Sequence, residues 1–109
     1  MAYSEELAER VRDALRGRAN VEERKMFGGL AFLLEGRMFS GVLGEQLVVR
    51  LGAEMGARAL QEPHTAPMDF TGRPLKGYVY VAAAGLETAA ALRGWLDDAI
   101  RFVETLPPK

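Results

Sequence analysis

Residues 25–51, KMFGGLAFLLEGRMFSGVLGEQLVVRL, decide the fold. They hold most of the β-branched and aromatic residues of the first half of the chain, interrupted by glycines. Leu34-Glu35-Gly36-Arg37 and Leu43-Gly44-Glu45-Gln46 each leave two residues to reverse direction between apolar runs, and each supplies a glycine where φ > 0 is needed. Gly44 at the first central position suits a type II′ turn, with Glu45 keeping an ordinary φ. Glu35-Gly36 suits a type I′ turn or the start of a bulged loop. The reading is a three-stranded antiparallel meander. Leu30, Phe32 and Leu34 point one way, Ala31 and Leu33 the other. Met38, Ser40 and Val42 oppose Phe39, Gly41 and Leu43, and Leu47, Val49 and Leu51 oppose Val48 and Arg50. Both faces are therefore rather apolar, where a half-exposed sheet alternates cleanly. The second face is expected to lie under the domain's own helices or under a second copy of the chain, giving a homodimer.

Upstream, Ser4 to Arg16 reads as a helix. Ser4 is the cap, Glu5 and Glu6 sit in the first turn, and Leu7, Val11, Ala14 and Leu15 form one stripe. Asn20 to Arg24 reads as a polar connection. Downstream, Gly52 to Gln61 reads as a short helix with Met55, Ala59 and Leu60 on its buried edge, stopped by Pro63. Met68-Asp69-Phe70 follows as a short edge strand, Thr71 to Gly77 as a loop, and Tyr78 to Ala82 as a strand. Glu87 to Leu106 is the longest helix, with Leu92, Leu96, Ala99 and Val103 at helical spacing and Trp95, Ile100 and Phe102 widening the arc. The expected architecture is two-layer α+β. Its antiparallel sheet has about five strands, its element order is α-β-β-β-α-β-β-α, and residues 1–109 form one domain.

Composition narrows the chemistry. Hydrophobic residues at 49% and charged residues at 27% describe an ordinary globular protein. With no cysteine there is no disulfide framework or thiolate nucleophile, and a reducing cytoplasm is expected. No apolar run approaches the roughly 18 residues of a membrane span, so no membrane partner is expected. The net charge of −1 gives no general attraction to nucleic acid. His64 is the one histidine and lies in a loop between prolines, too little for a zinc site or a Ser–His pair with Ser4 or Ser40. Glu5-Glu6, Glu22-Glu23 and Asp97-Asp98 are neighbours in sequence and do not converge on one substrate atom. Phe27-Gly28-Gly29 lacks the spacing of a nucleotide fingerprint and precedes a strand, so it reads as a bend. No cofactor, no metal and no enzymatic activity are expected.

The best candidate contact site is the segment Gly72 to Tyr78. Its Pro74 turn displays Arg73 and Lys76, with Gly72 and Gly77 allowing close approach and with Tyr78, Arg50 and Lys25 expected nearby. It suits an anion, a carboxylate of a partner subunit, or a structural pairing with Asp69, which is favoured. The alternative is a basic strip of Arg10, Arg12, Arg16 and Arg18 contacting nucleic acid, although Glu9 and Asp13 are interleaved with it.

These residues also carry a resemblance. Lys25-Met26-Phe27-Gly28-Gly29, then Gly36-Arg37-Met38-Phe39, then Gly72-Arg73-Pro74 with Gly77-Tyr78, then Trp95 and the closing Leu106-Pro107-Pro108-Lys109 resemble the N-terminal domain of TfoX/Sxy-type competence regulators. The resemblance implies an α+β fold grouped with type III secretion-chaperone-like domains, which often dimerise. It implies a transcriptional co-regulator acting through protein contacts with the transcription machinery. It also implies a stand-alone first domain, because full-length regulators carry a second, helical domain and this chain stops at Lys109. It carries no catalytic residues.

Overall fold

The computed structural model describes residues 3–26, 28–70 and 73–106. Three helices and six strands follow one another as α1 (Glu5–Ala14), β1 (Val21–Met26), β2 (Gly29–Leu34), β3 (Arg37–Leu43), β4 (Gln46–Arg50), α2 (Gly52–Ala59), β5 (Thr65–Phe70), β6 (Arg73–Val81) and α3 (Ala89–Glu104). A single 3-10 turn, Ala83–Leu86, precedes α3. The fold is α+β, and all strand pairs are antiparallel in the order β1-β2-β3-β4-β6-β5.

The meander forms as its turns require. Leu34 pairs with Arg37 across Glu35 (φ 50°) and Gly36 (φ 84°), the two positive values of a type I′ turn. Leu43 pairs with Gln46 across Gly44 (φ 60°), with Glu45 outside the positive-φ residues. Helix α1 is capped by Ser4, whose hydroxyl accepts from the Leu7 N–H at 3.1 Å. Thr88 caps α3 in the same way through the Ala91 N–H. At the other end of α3, Arg37 donates to the Leu106 carbonyl at 2.9 Å, a cation where the helix dipole favours one.

Two expected connections are strands instead. The sheet has six strands, because Val21–Met26 pairs with β2 along its whole length. VEERKM shows no apolar alternation, since an edge strand buries little and is protected by its charges. The segment from Arg73 to Gly77 is likewise strand, paired with β5, and not a loop. Glycine and proline composition misleads there. The β4 register begins only at Tyr78, so on the stretch before it a residue without an N–H is tolerated at Pro74.

The main core joins α1 and α3 to one sheet face through Leu7, Val11, Phe32, Val49, Leu96 and Val103, among others. The register slips between Phe32 and Leu33, so that Phe39 enters this core fully buried and Met38 falls opposite Leu33. This bulge reverses the facing expected for Met38 and Phe39. Ala31, Leu33 and Val48 on the second face are also buried, outside that core cluster. Met26 of one edge strand and Met68 of the other line one narrow crevice with Met38, Gly41 and Val48. The twisted sheet has curled until its edges approach each other over its second face. A second copy is not required to cover it.

Candidate functional site

Only part of the expected contact cluster assembles. Arg50 and Tyr78 face each other in register on β4 and β6. The guanidinium carbon lies 5.6 Å from the Tyr78 ring centre and 5.8 Å from that of Phe102, and Arg50 donates to the Met38 carbonyl at 3.4 Å. A cation held between two aromatic faces is committed to packing. Lys25 is exposed on β1, three strands from β4, and does not join them. Lys76 is exposed on β6. Phe27, Gly72 and residues 107–109 lie outside the described residues, as do the side chains of Arg73, Pro74 and Asp69, and with them the expected pairing to Asp69.

The arginine strip is largely spoken for. Arg10 is half-buried and donates to the Leu86 carbonyl, so it does not belong to a solvated face. Arg12 donates to both carboxylate oxygens of Glu23 on β1, at 2.8 and 2.9 Å, and to Glu9. These bonds, Glu23 first, raise its pKa above the ordinary arginine value, so it stays charged at every pH of interest. Arg16 pairs with Asp13, and Arg18 is exposed beyond the helix. Of the remaining motif residues, Met26 and Gly29 pair to close the β1–β2 hairpin at Gly28 (φ 73°). The hydroxyl of buried Ser40 donates to the Val48 carbonyl at 2.6 Å, and His64 is exposed.

Two features of α2 were not anticipated. Its glycines lie flush against β6. A Cβ on Gly56 would stand 3.1 Å from the Gly77 Cα, and one on Gly77 would stand 3.0 Å from the Gly52 carbonyl carbon. Gly77 has φ +88°, and its carbonyl accepts the Leu51 N–H at 2.8 Å, extending the sheet ladder to the start of α2. The spacing Gly52-x-x-x-Gly56 on one helix face is the sequence signal for this seam.

The second feature is a groove of about 360 Å³ between α2 and α3. Met55, Arg58, Ala59 and Glu62 line it from α2 and the turn that follows. Ala90, Ala91, Gly94, Trp95 and Asp98 line it from α3, with Leu51 between the two. Met55 is 40% exposed and Leu60 41%, so neither forms the buried edge expected of them; Gly56 and Ala59 do. Trp95 is half-buried and opens onto the groove.

The family model described as the TfoX N-terminal domain matches residues 13–103, which includes the meander, the glycine seam and both walls of the groove. The chain belongs to the TfoX N-terminal domain family. Comparison with curated proteins and with solved structures finds no match. The family match starts within α1 at Asp13, so Arg10 and Arg12 lie outside it while Arg16 and Arg18 lie inside. Among the described residues no group of His, Cys, Asp or Glu could hold a metal ion, and no helix is long and apolar enough to cross a membrane.

Proposed function

We propose that this TfoX N-terminal domain is a regulatory protein-interaction module of the competence co-regulator kind, docking on a protein of the cytoplasmic transcription machinery without bond-making chemistry. The α2–α3 groove carries the proposal. It gathers an exposed methionine, a half-buried tryptophan and small side chains into one concave surface with a charged rim. Aromatic and methionine side chains are the types enriched where proteins recognise one another. Nucleic-acid binding through α1 has less support, because Arg10, Arg12 and Arg16 already hold intrachain partners and offer little free charge to phosphates. A homodimer is not needed to cover the second sheet face and forms no part of the proposal.

Photo-crosslinking separates these readings. With a benzophenone side chain at position 55 in the groove, and in a second variant at position 18, crosslinked species from living cells are identified by mass spectrometry. Discrete protein adducts from position 55 are expected. Nucleic-acid adducts from position 18, with none from position 55, would overturn the proposal.

A further inference from the structure

We infer that the α2–α3 groove receives an amphipathic helix of a partner protein, whose apolar side chains enter it beside a lysine or arginine. The inference rests on the protein-interaction reading above and adds the chemistry of the occupant.

Gly94 is the first ground. It sits inside the sixteen-residue α3, where glycine weakens a helix by roughly 1 kcal/mol relative to alanine. At Gly52, Gly56 and Gly77 the reason for glycine is visible, because a Cβ would strike Phe102 or the neighbouring backbone. At Gly94 nothing lies within 4 Å of where a Cβ would be, and its φ is not positive. Neither packing within the chain nor backbone conformation calls for glycine there. Its bare backbone is, however, a wall of the groove.

The shape fits a helix. The α3 residues on the groove run from Ala90 to Asp98, about 12 Å or two helical turns. Small residues along such a wall let a second helix approach closely, and helix-in-groove docking uses apolar anchors at this spacing.

Charge selects the occupant. On the rim, Arg58 is turned to Glu54 at 3.7 Å, and Asp98 shares the exposed Arg101 at 3.4 Å. The Glu62 carboxylate has no hydrogen-bond or ion-pair partner among the described residues. The uncompensated rim charge is therefore negative. Trp95 adds an aromatic face, to which a guanidinium or ammonium is attracted.

Trp95 is the chain's one tryptophan, so its emission reports groove occupancy without a label. The full chain is titrated with a helical peptide of leucine and arginine lacking aromatic residues, and with the same peptide carrying glutamate for arginine. A saturable blue shift with the arginine peptide is expected, at least about ten-fold weaker with the glutamate peptide. Gly94→Gln, whose Cβ would meet nothing within 4 Å and whose longer side chain reaches into the groove, retains the fold by circular dichroism and abolishes the shift. Glu62→Gln weakens arginine-peptide binding about three-fold, and the loss shrinks in high salt. Equal affinity for both peptides, with binding still lost in Gly94→Gln, would overturn the occupant's chemistry and leave the interaction reading standing. No shift with either peptide would overturn the inference, and absence of crosslinks from position 55 would then remove the parent reading too. A shift that follows the chain's own concentration in sedimentation would also overturn it, by placing a second copy in the groove.

Discussion

Gly56 and Gly94 both lie inside helices, and their surroundings are opposite. Around Gly56 a Cβ would stand 3.1 Å from the backbone of Gly77, on a strand pinned by the bond from the Leu51 N–H. Around Gly94 it would meet only open space. The first glycine lets α2 lie flush on β6 and so belongs to the fold. The second weakens α3 with no return inside the chain. A local rule broken with no return inside the chain is the pattern found at functional surfaces. Helix α2 joins the two regions, since Gly52 and Gly56 contact the seam while Met55 and Arg58 look onto the groove.

Substitutions can break or sharpen this contrast. The largest effect is expected at Gly77. Alanine there must hold a left-handed φ of +88° and press on the Gly52 backbone, costing about 3 kcal/mol in urea unfolding. A loss below that of an ordinary surface substitution would mean that the seam is loose. Gly56→Ala comes next. The helix-propensity gain and the crowding against Gly77 oppose each other, and because the neighbour is backbone the net is a loss of about 1 kcal/mol. Net stabilisation would show that α2 can lift away from β6. The smallest change belongs to the groove side of the same helix. Met55→Ser removes a 40% exposed side chain and shifts stability by about 0.5 kcal/mol or less, while weakening the leucine–arginine peptide in the Trp95 titration. A large stability loss with unchanged peptide affinity would assign Met55 to the core.

Much of the fold is legible in the sequence because its signals are local. The Glu35-Gly36 and Gly44-Glu45 turns, the Ser4 cap and the Leu92–Val103 stripe each follow from a few neighbouring residues, and each is found. What escapes depends on the partner surface. VEERKM becomes a strand because β2 offers it an edge, and Glu23 then meets Arg12 across α1. Phe39 reaches the core through a bulge that the alternation of β3 does not announce. The candidate site was less legible than the fold. Arg50 and Tyr78 are adjacent as expected, yet the guanidinium is packed over the rings of Tyr78 and Phe102. The groove is assembled from two helices, and one of them, α2, is seated on β6 by the contact of Gly56 with Gly77, residues twenty-one positions apart. Gly52-x-x-x-Gly56 was the available signal for that seam. For Gly94, a glycine within an otherwise strong helix was the signal, and only the empty space around it tells the two cases apart.

The thermal midpoint of Gly94→Ala tests the central claim most directly. If this glycine serves something outside the chain, alanine strengthens α3 and the midpoint rises by about 4 °C. A fall would show that the fold itself depends on glycine at this position, and the groove would lose its claim to be held open for a partner.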